Sequence, residues 1–291
     1  MIARVASASG SARDPRTRPI GVFDSGVGGL TVLHELLVAL PQEDFLYLGD
    51  TRRFPYGERT PGELSRFSAE IADELVRRGT KLLVVACNSA TAAALPYLQR
   101  RMMETTLGVD VLGVVRPGAL RAVAATRSGR IGLLATPTTV ASGAYEEAVG
   151  AIDSHVTLHA VPCPALAAII QAGEEFDERA VAVVREVCAP LRAADVDTVI
   201  LGSTHYPLLR PMLQRMLGPA VTLVSSGAAL ARQVEHALST RELQNPRSRE
   251  GAYRFLCTGD PHAFRELGTR FLQMPLGAVE HVELAEIGAA A

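Results

Sequence analysis

Residues 199–209 read VILGSTHYPLL. The apolar run Val199-Ile200-Leu201 has the composition of a buried strand. It stops at Gly202 and delivers Ser203, Thr204 and His205 together, before Tyr206-Pro207 close the turn. A second stretch, LVVACNS at 83–89, has the same form: an apolar strand, then Cys87-Asn88-Ser89. Another pair of strands shows the same echo at nearly the same separation, IGVFDS at 20–25 against IGLLAT at 131–136. Polar groups that follow apolar strands at matched intervals point to two related halves. In open α/β sheets, ligands bind outside the carboxyl ends of the strands. The two sets of strand ends are therefore expected to face one another across a cleft.

The rest of the chain repeats this grammar. Strands are expected at 20–23, 45–48, 82–86, 111–115, 131–134, 198–201, 221–224 and 253–257. Helices are expected at 30–40, 61–78, after Asn88, after Pro117, and at 178–194, from 208, 228–238 and 261–271. Strands alternating with helices predict an α/β protein with mainly parallel sheets. The repeat predicts two pseudo-symmetric α/β domains with the active site in the cleft between them. Their expected extents are 19–114 plus 225–285 for the first and 115–224 for the second. Residues 1–18 (MIARVASASGSARDPRTR) lack the apolar segment of a secretory signal and read as a disordered N-terminal extension.

Composition excludes several classes. The net charge of −2 shows no basic excess, so direct nucleic-acid binding is not expected. Tryptophan is absent and only 5% of residues are aromatic, which argues against a platform for stacking bases or sugars. No run of about 18 apolar residues occurs, so no membrane span is expected. Four cysteines, Cys87, Cys163, Cys188 and Cys257, form no C-x-x-C pair, and no metal site is expected from them. With no export signal, the cytoplasm is the expected compartment and the thiols should be free.

The strand ends carry the chemistry. Helix N-termini that follow them offer free backbone N–H groups, which favour carboxylates and lower thiol pKa values. Asp24-Ser25 and Tyr56-Gly57 lie in loops of the same kind. Donors for carboxylates, an acidic partner for an amine and a thiol together suit an amino acid or a small dicarboxylic acid. Bland readings compete with this one. A free cysteine is usually a small buried hydrophobe, and Cys163, Cys188 and Cys257 are read that way. A single histidine at a strand end is more often a satisfied hydrogen bonder than a catalyst. Asp24 could simply cap the helix after DSGVGG. That same loop could cradle phosphate, but Thr31 occupies the place of the last glycine of G-x-G-x-x-G, and no Walker A sequence exists. Nor does a G-x-S-x-G elbow surround Ser203.

Taken together, GVFDSGVGGLTV (21–32), GDTRRFPYG (49–57), VVACNSATA (84–92), LGSTHYPLL (201–209) and YRFLCTGD (253–260) resemble the glutamate racemases of the aspartate/glutamate racemase superfamily. The motifs occur in order, and the likeness spans about residues 20–285. The resemblance implies two pseudo-symmetric α/β domains and a cofactor-independent exchange between L- and D-glutamate. Two cysteines flank the α-carbon in that family; one removes the α-proton and the other delivers a proton to the opposite face. The D-glutamate feeds peptidoglycan synthesis. On this basis Cys87, Ser203, Asp24 and His205 match catalytic positions. Asp24, Ser25, Tyr56, Gly57, Asn88, Ser89, Thr136, Thr139, Thr204 and His205 match substrate-binding or supporting positions. A homodimer is also implied, and some members bind DNA gyrase.

Three departures matter. Ser203 stands where the family has its second cysteine. Gln171 stands where a glutamate is usual, and Ser225 where an aspartate is often found. A thiol, with a reference pKa of about 8.5, is readily tuned to a thiolate, whereas a serine hydroxyl needs an adjacent base. Three readings follow: a glutamate racemase with impaired activity, a single-cysteine enzyme of the arylmalonate decarboxylase kind, or a non-catalytic protein that binds an amino acid or gyrase.

Overall fold

The computed structural model describes residues 14–106, 108–173 and 177–286. Within them lie ten strands: β1 (Ile20–Asp24), β2 (Phe45–Gly49), β3 (Leu82–Val85), β4 (Asp110–Gly113), β5 (Arg130–Ala135), β6 (Thr157–Pro162), β7 (Thr198–Gly202), β8 (Thr222–Val224), β9 (Tyr253–Cys257) and β10 (Val279–His281). They form two sheets, ordered β10-β9-β2-β1-β3-β4 and β6-β5-β7-β8. Every pairing is parallel. Parallel strands covered by helices on both faces are buried throughout and need continuous apolar runs. That is how β1, β2, β3 and β7 read, each buried at every residue.

The repeat seen in the sequence is a repeat of topology. The order β2-β1-β3-β4 in one sheet is matched by β6-β5-β7-β8 in the other. The echoing strands β1 and β5 take equivalent places, each next to the strand that carries its triplet. In register, Phe23 of β1 sits beside Val85 of β3, and Ala135 of β5 beside Gly202 of β7. One apolar cluster runs between the halves, with Val22 and Val84 from the first sheet and Leu134 and Leu201 from the second. The outer faces have separate clusters, around Phe67, Leu83 and Leu98 in one half and Leu133, Tyr145 and Ile200 in the other.

Some elements differ from expectation. β6 and β10 form edges; β6 is only half-buried and β10 has three residues, so neither has the apolar run that betrays a central strand. The helix expected after Pro117 starts at Val115. Proline is tolerated in a helix's first turn, where backbone N–H groups have no intrahelical acceptor. Of the extension 1–18, residues 1–13 lie outside the described residues. Residues Pro15–Thr17 make a short 3-10 turn capped by Asp14.

That turn is held by a buried ion pair. Lys81 Nζ lies 2.5 Å from Glu43 Oε2 and donates to the carbonyls of Arg16 and Leu243. Glu43 in turn accepts from the Asn245 backbone. Removing one partner strands a buried charge, which costs about 3–5 kcal/mol. Lys81→Ala is expected to lower the unfolding free energy by that amount in urea titration, with an unchanged slope against denaturant.

Candidate active site

The carboxyl ends of β1, β3, β5 and β7 converge on one narrow cleft between the halves. Its walls include Ser25, Cys87, Asn88 and Ser89 from the first half and Thr136, Ser203, Thr204 and His205 from the second. The loop carrying Phe54, Pro55, Tyr56 and Gly57 covers one side, and Pro164, Ala167 and Ala168 another. The centre of a water-sized sphere can reach about 50 Å³ of it. Gly57 is needed where the halves touch. A Cβ there would fall 2.7 Å from Thr136 Cβ, and Thr138 Oγ1 donates to the Gly57 carbonyl at 2.8 Å.

On the β3 wall, Cys87 caps the helix Asn88–Thr105, with its sulfur accepting from the Ala90 N–H at 3.5 Å. A helix N-terminus favours a thiolate, but burial dominates and pushes the thiol up to about 12, with the Asp24 carboxylate adding to the rise. Asp24 is itself fully buried at the end of β1. Its Oδ1 accepts from the Gly26 N–H at 2.9 Å and from Ser25 Oγ at 3.2 Å, and its Oδ2 accepts from Thr204 Oγ1 at 3.1 Å. Burial raises its pKa to about 6 despite these donors. At neutral pH this site therefore holds a thiol beside a carboxylate.

The β7 wall differs. Ser203 Oγ accepts a long hydrogen bond, 3.4 Å, from the His205 backbone N–H. The His205 ring faces elsewhere. Nε2 donates to Gln171 Oε1 at 3.0 Å, and Nδ1 lies 3.5 Å from Thr204 Oγ1. The ring is flanked by Phe54 and, edge-on, by Phe271. Burial lowers its pKa to about 4, so the imidazole is neutral at pH 7. A glutamate at 171 would favour the imidazolium; the amide of Gln171 supplies no such charge.

Between the walls is a cluster of hydroxyls. Ser89 Oγ lies 2.8 Å from Thr136 Oγ1 and 3.2 Å from Thr139 Oγ1, and the two threonines are 3.0 Å apart. Helix N-termini begin at Asn88 and Pro137 beside them. Such a cluster suits a carboxylate. Asn88 Oδ1 accepts from Tyr145 Oη at 2.7 Å, which leaves its amide N–H groups as donors.

The residues expected from sequence thus meet at one place, with refinements. Asp24 and Thr139 do not line the cleft but support Thr204 and Thr136 from behind. The Tyr56 hydroxyl donates to Asp50, away from the cleft, so Tyr56 contributes ring surface. Thr204 donates to Asp24 and therefore presents an acceptor to the cleft. Tyr145, which fixes Asn88, lies on the helix Ala144–Ile152, and no motif marks it. The glycines of DSGVGG serve close approach: a Cβ at Gly28 would lie 2.5 Å from Thr204 Oγ1. Among the described residues, no group of three or more His, Cys, Asp or Glu could hold a metal, and no helix is long and apolar enough to cross a membrane.

Residues 23–234 match the Asp/Glu/Hydantoin racemase family. The chain belongs to this family. Glutamate racemase of Geobacter metallireducens is 45% identical over 267 residues, covering 92% of this chain and 97% of that one. Among solved structures, glutamate racemase isoform RacE1 from Bacillus anthracis superposes with a TM-score of 0.87 at 37% identity, over 92% of this chain and 98% of that one. The Francisella tularensis glutamate racemase, solved in complex with D-glutamate, gives 0.85 at 30% identity, over the same shares of each chain. The likeness spans both sheets and the cleft between them, so the chain is a member of the family's glutamate racemase branch.

The Asp24 environment can be tested by pH. Its folded pKa of about 6 lies above the ordinary 3.8. The folded state therefore keeps a proton that the unfolded chain has released, and stability falls as pH rises between those values. Asp24→Asn is expected to remove on the order of 3 kcal/mol of that fall, read by comparing urea unfolding of parent and variant from pH 4 to 7. The Cys87 thiol should also titrate lower in the variant, by absorbance at 240 nm with Cys87→Ala subtracted.

Proposed function

We propose that the protein interconverts L- and D-glutamate by direct proton transfer at the α-carbon, without a cofactor, and supplies D-glutamate for peptidoglycan synthesis in the cytoplasm. One observation carries this reading. Two equivalent strand ends, Cys87-Asn88-Ser89 and Ser203-Thr204-His205, face the same narrow cleft from opposite halves. On this reading the cleft separates a unit of residues 19–114 plus 225–285 from one of 115–224. A homodimer is proposed as well, to be checked by sedimentation.

In the proposed reaction the hydroxyls of Ser89 and Thr136 and the amide of Asn88 hold substrate carboxylates. The substrate ammonium meets the acceptor side of Thr204, with the Asp24 carboxylate behind it. A cation arriving there stabilises the Cys87 thiolate, whose high pKa in the empty cleft comes from burial and from Asp24. Cys87 then removes the α-proton from D-glutamate. Preorganised donors near the carboxylate stabilise the carbanion. Ser203 lies on the side from which a proton must be added to give L-glutamate. Its hydroxyl can give a proton to a carbanion, but it is a poor base for the reverse step. The enantiomers have equal free energy, so this weak step slows racemisation in both directions. It does not slow return of a proton by Cys87 to the face from which it came.

The decarboxylase and gyrase-binding readings are less well supported, because donors suited to an amino acid line the cleft and 92% of the chain aligns with a glutamate racemase. In heavy water, proton NMR is expected to show loss of the α-proton of D-glutamate with little L-glutamate formed and little exchange from L-glutamate. Cys87→Ala should abolish the exchange. Equal exchange from both enantiomers would overturn the one-thiol scheme, and decarboxylation of an arylmalonate would revive the alternative enzyme.

Ser203→Cys restores an ionisable group on the second wall. A general acid–base group contributes about 10²–10⁴-fold. Racemisation, followed by circular dichroism, is expected to rise within that range. An unchanged rate would show that the neutral Gln171–His205 pair limits the reaction as well.

A further inference from the structure

Behind Ser203 lies a second chamber. It is lined by Thr31, Glu35, Asn88, Ser203, Ser225 and Ser226, among others, and offers about 50 Å³ to the centre of a water-sized sphere. A water-sized sphere occupies about 10–15 Å³, so the chamber has room for water. Asn88, Ser203 and Thr204 line both chamber and cleft and form the wall between them.

Val32, Val114, Leu201 and Pro207 also line the chamber, and Glu35 is its one titratable side chain among the described residues. The Ser226 hydroxyl is buried and makes no hydrogen bond of normal geometry, although Tyr145 is near enough to be influenced by it. Glu35 is half-buried, and no hydrogen bond or ion pair holds its carboxylate among the described residues. Its stem crosses the start of the helix Gly227–Thr240, close enough that a Cβ at Gly227 would lie 2.8 Å from Glu35 Cγ. That helix has no side-chain cap, and a carboxylate near its N-terminus is stabilised.

The second wall needs such a group. Ser203 cannot ionise usefully by itself, and the His205 ring is committed through Nε2 to Gln171, with Nδ1 toward Thr204. We propose that Glu35, acting through water in this chamber, is the proton reservoir for Ser203. The proposal rests on the glutamate racemase reading above. In the L-to-D direction the Cα–H bond breaks and its proton goes to Ser203 Oγ, while the electron pair stays on carbon. The Ser203 hydroxyl proton passes to the water, and a water proton passes to the Glu35 carboxylate. The Cys87 thiol then protonates the opposite face. The D-to-L direction runs the same transfers backwards, with protonated Glu35 as the source. Glu35 touches no substrate and is a positioning residue for this proton path.

The test uses Glu35→Gln, which keeps size and hydrogen bonding but cannot take up a proton. Racemisation is expected to fall about tenfold or more, with KM for glutamate unchanged. Loss of the α-proton of D-glutamate in heavy water, which depends on Cys87, should persist. In a Ser203→Cys background the same substitution should have little effect, because a thiol ionises without a neighbouring base. Parental racemisation in Glu35→Gln overturns the proposal. So does an equal loss of exchange from both enantiomers, which marks a structural role. If the parent exchanges neither enantiomer, the glutamate reading itself fails, and the relay fails with it.

Discussion

The buried carboxylate of Asp24 is the contact on which the site depends. It ends the central strand of the first sheet, and it accepts a hydrogen bond from Thr204 at the end of a strand of the second. A charge with 0% exposure is tolerable only where donors surround it, and three converge here. Those donors come from Ser25, Gly26 and Thr204, so satisfying one carboxylate fixes the geometry of both walls. The close approach also explains the glycines of the loop that follows, where side chains would collide with Thr204 and His205.

Burial sets the chemistry as firmly as it sets the packing. It raises Cys87 and Asp24 and lowers His205, each toward its neutral form. An empty cleft of this kind stores little charge. A zwitterionic substrate brings charge with it, and its ammonium and carboxylates reverse the balance at the groups they meet. On the proposed mechanism the reactive thiolate is created by the molecule on which it acts. A thiolate standing permanently in solvent would be open to alkylation and oxidation.

Much of this was legible in the sequence. The parallel α/β class followed from continuous apolar strands alternating with helical segments, and the two-fold repeat from polar triplets after them. Central strands speak clearly because both faces are buried; the edges β6 and β10 do not, since short or half-exposed strands lack an apolar run. The cleft-lining residues were legible because they fall directly after strands. Tyr145 and the supporting place of Asp24 behind Thr204 were not, because both depend on contacts between chain segments far apart. The orientation of the His205 ring away from Ser203 was equally hidden, since two residues of separation say nothing about where a side chain points.

The matched strand orders of the two sheets have a consequence for how the chain can change over time. In the proposed reaction each half presents its own reactive side chain to its own hand of the substrate, on a separate sheet with a separate outer core. The two mirror-image half-reactions are thus encoded in separable tracts of sequence. A replacement in one tract, such as serine at 203, alters what one enantiomer meets and leaves the architecture that greets the other in place. Handedness here is a modular property, written twice in the chain and open to independent revision in each copy.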